Sequence, residues 1–104
     1  MTTKTTLWEV LVPCMMNNKP VRTKHHKEWD KVVRKITGGL TISAPSRGQW
    51  VDPNTKILHE ERVIPVKIAC DEKGLGKILE FTKKHYKQIA VFAYKVSDNA
   101  VVYQ

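Results

Sequence analysis

The chain is poor in acid: ten Asp and Glu stand against eighteen Lys and Arg in 104 residues, a formal net charge of +8. It has two cysteines, Cys14 and Cys70, with no C-x-x-C spacing. That usage fits a reduced, cytoplasmic protein with incidental thiols. No apolar run approaches the ~18 residues that a membrane span needs. The opening MTTKTTLWEVLV carries no signal-peptide pattern and enters a strand directly. P-loop and G-x-G-x-x-G motifs are absent, which removes the common nucleotide-binding loops. Ser43 and Ser46 have no histidine–acid relay, so serine hydrolysis is not expected. There are no repeats and no low-complexity tract.

What is present is a globular chain, 41% apolar and 27% charged, long enough for one domain over residues 1–104. Its patterns alternate in a telling order. Thr5–Pro13 reads as strand, Lys24–Thr37 as helix, and Leu40–Val51 and Lys56–Cys70 as strands. Asp71–Lys87 reads as helix and Ile89–Val96 as strand. That is β-α-β-β-α-β, the ferredoxin-like plan: α+β, an antiparallel sheet with two helices on one face. Trp29, Val32, Val33 and Ile36 make one apolar helix stripe, Thr23 is a plausible N-cap, and Gly38-Gly39 is a stop. Ala44–Gly48 predicts a bulge or flap inside the second strand. Pro65 predicts an edge or a bulge in the third. Ala100–Tyr103 reads as a short fifth strand. Ile89–Tyr94 is apolar on both faces, and such strands are normally covered on both. The sheet face without helices is therefore expected to be buried by self-association, with a site between subunits.

Two constellations carry chemistry. Glu60-Glu61 is an adjacent acidic pair at the start of a strand, so the two carboxylates point to opposite faces. One of them can approach the subunit boundary, where a carboxylate can hold a cation or act as a base. Gly48-Gln49-Trp50 follows the flap, and its indole can stack on a base or cover a cation. Tyr94 is a site wall or a core residue. His25-His26 with Glu28, and His59 beside Glu60, match no strong zinc spacing and read as surface histidines, as does His85. No metal and no cofactor are expected. The basic residues are spread along both helices, and no RRM, zinc-finger or helix-turn-helix pattern accompanies them; nucleic-acid binding is possible but not favoured.

The stretch from Glu60 to Lys95 resembles the phage S-adenosylmethionine (SAM) lyases, formerly called SAM hydrolases. The resemblance lies in Glu60-Glu61-Arg62-Val63-Ile64-Pro65-Val66-Lys67 and Ala90-Val91-Phe92-Ala93-Tyr94-Lys95. Val10-Leu11-Val12, His25-His26, Gly39-Leu40 and Gly48-Gln49-Trp50 fall upstream in similar order. The resemblance implies a PII-like ferredoxin fold and a homotrimer binding SAM between subunits. It implies a lyase reaction: the substrate's carboxylate attacks its own Cγ and expels 5'-methylthioadenosine, leaving homoserine lactone. Carried onto this chain, it gives Glu60 and Glu61 as catalytic candidates, with Glu61 preferred. It gives Trp50, Tyr94 and Gln49 as substrate contacts. Host-cell cytoplasm is the implied location. The alternative is a non-enzymatic, oligomeric phage-type module that binds a nucleotide-like ligand or a host protein.

Overall fold

The computed structural model describes residues 1–104. Strand β1 (Thr2–Pro13) is followed by a small hairpin, β2 (Met15–Met16) and β3 (Lys19–Pro20), turned at Asn17 and Asn18. Both asparagines are left-handed, with φ 53° and 62°, a conformation their short side chains tolerate. Helix α1 (Thr23–Thr37) leads to β4 (Thr41–Ile42) and β5 (Ser46–Val51), then β6 (Leu58–Ala69), α2 (Glu72–His85) and β7 (Ala93–Tyr103).

The main sheet runs β4-β6-β1-β7, with β5 also on β6, and every pairing is antiparallel. β4 and β5 lie along the same edge of β6 as one interrupted strand. The topology is the ferredoxin-like one, as the element order implies. Both helices cover the face carrying Trp8, Val10 and Val12 of β1 and Val66 and Ile68 of β6. These side chains form the core with Trp29 and Val33 of α1, Ile78 of α2, and Tyr86 just beyond it. Period-two alternation in the strands meets the period-3.6 stripe of α1 there. The Trp29 indole is 1% exposed, and its Nε1 donates to Thr82 Oγ1 at 2.9 Å, so the ring is buried without an orphaned donor.

The helix ends follow local chemistry. Arg22, not Thr23, is the N-cap of α1, and it makes no side-chain cap bond. Asp71 caps α2 by accepting from Gly74 N at 2.7 Å. Gly38 ends α1 with φ 85°, where a Cβ would be strained.

Pro65 lies inside β6, not at an edge, opposite Leu11 of β1. Its carbonyl accepts from Ser43 N, so its missing N–H faces the same side, where β4 has ended and β5 has not begun. The irregularity that a strand proline demands sits in the neighbouring strand.

The last strand also differs from expectation. Ile89–Phe92 is not strand; β7 begins at Ala93 and, after register shifts opposite Thr5–Trp8, continues through Ala100–Tyr103, which pairs with Thr2–Thr5 of β1. Leu11 N donates to Phe92 O at 3.0 Å. The next β1 donor on that side would be Pro13, which has none, so the ladder stops. The paired ends of β1 and β7 project as a ribbon. The long dimension is 48 Å and the radius of gyration 14.4 Å, against ~13 Å for a compact domain of this length. Val101 and Tyr103 on this ribbon are exposed. No helix is long and apolar enough to cross a membrane.

Candidate site on the helix-free face

The sheet face away from the helices carries Leu7, Glu9, Leu11 and Pro13 of β1. It also carries Glu61, Val63, Pro65 and Lys67 of β6, and Tyr94 of β7. At one end of this face a cavity of about 300 Å³ opens. Leu11, Pro13 and Val63 form its floor, Val91 and Phe92 one wall, and Trp50 the other. The wall at 91–92 exists because the β7 ladder stops early. Phe92 is 63% exposed there, unspent by the core.

Gly48 lies directly opposite Glu61 in the β5–β6 register. A Cβ at Gly48 would sit 3.8 Å from Val63 and project over the floor. The missing side chain keeps the cavity open next to the Glu61 carboxylate. Glu61 is the only ionisable residue lining it, and none of the chain's eighteen Lys and Arg does. Such a cavity suits a ligand that is largely apolar or aromatic and carries a positive charge.

The sequence candidates are separated by the pleat. Glu61 lines the cavity; Glu60 points to the opposite side, where its Oε1 accepts from Gln49 Nε2 at 2.6 Å. Gln49 contributes to the wall but commits its side-chain amide to that bond. Trp50 is half-buried and stacks on His59 with ring centroids 4.5 Å apart and planes 15° off parallel, which fixes the indole as a rigid wall.

Tyr94 does not line the cavity. It sits beside Phe92, ring centroids 6.0 Å apart, and its hydroxyl donates to the Glu9 carboxylate. Glu9 is buried, and its other oxygen accepts from Lys67 Nζ at 3.0 Å. The Tyr94 hydrogen bond, opposed by burial and aided by Lys67, holds the Glu9 carboxyl below its usual range. The same bond pushes the Tyr94 phenol up. In the sequence Glu9 is only a break in an apolar strand. The signal lies in the register, which sets Glu9 opposite both Lys67 and Tyr94.

The histidines are not simple surface residues. His25 at the start of α1 and His85 at the end of α2 stack at 3.7 Å, and each ring Nε2 donates to the other residue's carbonyl, at 2.6 and 2.8 Å. Glu28 joins them within 4.8 Å. The stacked rings, parallel to within 8°, and their two reciprocal hydrogen bonds clamp the start of α1 to the end of α2. His26 Nδ1 and the Tyr86 hydroxyl share a hydrogen bond at 2.7 Å, and burial lowers the His26 pKa, which favours the neutral ring.

Comparison with known proteins places the architecture. No protein-family model and no curated protein matches the sequence. Among solved structures, the fold superposes on a phage SAM lyase in complex with S-methyl-5'-thioadenosine. The TM-score is 0.70 at 15% identity, covering 94% of this chain and 84% of that one. It also superposes on the divalent cation tolerance protein CutA1 of Thermus thermophilus, with TM-score 0.64 at 9% identity and 93% and 84% coverage. CutA1 of Oryza sativa gives TM-score 0.63 at 12% identity, covering 90% and 79%. At these identities the likeness defines the class of fold: a ferredoxin-like, PII-type α+β domain.

Proposed function

We propose that the chain is a SAM lyase that converts SAM to 5'-methylthioadenosine and homoserine lactone. One observation carries this reading. In a protein of charge +8, the apolar cavity has a single charged wall, and that wall is a carboxylate. SAM presents a sulfonium, an α-ammonium and a flat adenine. Glu61 would face the positive charge, and Trp50 and Phe92 would take the adenine.

The chemistry asks little of such a site. The substrate carboxylate forms a C–O bond to its own Cγ while the Cγ–S bond breaks and sulfur keeps the electron pair. Sulfur becomes a neutral thioether, and no proton moves. The nucleophile is tethered, so holding a near-attack conformation can contribute about 7–11 kcal/mol in favourable cases. An Arg or Lys on the substrate carboxylate would blunt it, and the cavity has neither. Glu61 would anchor the cation without competing for the electrophile.

The helix-free face supports a homotrimer. Leu11, Val63, Phe92 and Tyr94 lie on it, and Phe92 is largely exposed in the single chain. Packing of sister copies over this face would close the cavity and bring Tyr94 towards a ligand.

Incubation with SAM followed by chromatography for methylthioadenosine and the lactone tests the proposal. Calorimetric binding of SAM without turnover would support the binding-module alternative instead.

A further inference from the structure

The fold sorts the charge. The two helical segments, Arg22–Thr37 and Glu72–Lys87, hold eleven Lys and Arg against four Asp and Glu, and so carry +7 of the chain's +8. The remainder, sheet and loops, is close to neutral. The positive balance that the sequence places along both helices is thus confined to one layer, on the side opposite the cavity.

Within that layer α1 is the sharper feature. Lys24, Lys27, Lys31, Arg34 and Lys35 are all exposed. At 100° per residue they fall within one arc centred opposite the buried Trp29–Val33 stripe. The row is about 16 Å long at 1.5 Å per residue. None of the five is in an ion pair; the chain's three pairs are Lys67–Glu9, Lys84–Glu80 and Lys95–Asp98. The outer face of α2 differs, because Glu80 interrupts its lysines and pairs with one of them.

We propose that the outer face of α1 docks on the phosphate backbone of duplex nucleic acid. The row has no aromatic or apolar anchor of the kind a protein interface needs at its centre. The apolar side of α1 is committed to the core, so the helix cannot lower it into a bilayer. A flat anionic membrane would also meet the acids of both helices, whereas a rod-shaped polyanion can lie along the α1 row alone. Charge complementarity without base-reading side chains means binding driven by counterion release, independent of sequence.

Fluorescence anisotropy with a labelled duplex DNA across a salt series tests this. Five phosphate contacts predict a log–log slope of about −4.5, a loss of roughly 500-fold in affinity for a fourfold rise in salt. The triple variant Lys27→Gln/Lys31→Gln/Arg34→Gln should reduce the slope by about 2.7. Its unchanged far-UV dichroism would show that the helix persists. The α2 variant Lys73→Gln/Lys77→Gln should leave the slope nearly unchanged. Absence of duplex binding at about 50 mM salt would overturn the proposal. So would an unaltered slope in the triple variant, an equal loss in the α2 variant, or binding to phosphatidylserine vesicles but not to duplex.

Discussion

Glu60 and Glu61 are neighbours in β6 yet belong to opposite sides of the sheet: Glu61 borders the cavity, and Glu60 is held by Gln49 at 2.6 Å. The pleat turns an adjacent pair into two residues with different environments. Glu61→Gln should therefore lower SAM turnover by about tenfold or more, the scale of losing a charge-assisted contact. Glu60→Gln should change it little. Steady-state assays on the two variants, with matched thermal melts, check this.

Tyr94→Phe should raise the Glu9 pKa, since the Tyr94 hydroxyl is the main cause of its depression. A carboxyl with a folded pKa below its unfolded value binds fewer protons when folded. Its stabilising contribution is present above the unfolded value, near 4.5, and disappears as pH falls through the folded one. Urea midpoints measured from neutral pH into the acid range should therefore fall by more in wild type, and keep falling to lower pH, than in Tyr94→Phe.

Thr82→Val should destabilise the fold by about 1–3 kcal/mol, because it leaves the buried Trp29 Nε1 without an acceptor while keeping the side-chain shape. At roughly 4–8 °C per kcal/mol for a domain of this size, calorimetry should register a clear drop in Tm.

Phe92→Glu should dissociate the proposed trimer. It places a charge on the helix-free face where an exposed aromatic now stands. Native mass measurement should give trimer for wild type and monomer for the variant.

Much of the fold was legible because each element carried its own period. Trp29 and Val33 of the α1 stripe and the Gly38 stop are local statements that the structure repeats, while Ile36 at the end of that stripe is exposed. The break expected over Ala44–Gly48 is present but shorter, since β5 resumes at Ser46. Less legible was anything that depends on which residue faces which. Pro65 looked like the mark of an edge or a bulge, and only the pairing partner reveals that its missing N–H meets a gap. Ile89–Phe92 has strand composition, but Pro13, far away in sequence, withholds the donor that would have continued the ladder. His25 and His85 are sixty residues apart, and nothing in their local context announces a stack. The acidic pair was visible as a pair, and its division into inner and outer members was expected. Glu9, opposite Lys67 and Tyr94, was hidden by register alone.

The most direct test of the central claim is product analysis after incubating the full chain with SAM in heavy-oxygen water. Intramolecular attack predicts equimolar methylthioadenosine and homoserine lactone, with no solvent oxygen in the lactone at early times. No methylthioadenosine at high protein concentration, or homoserine labelled from the outset, would contradict it.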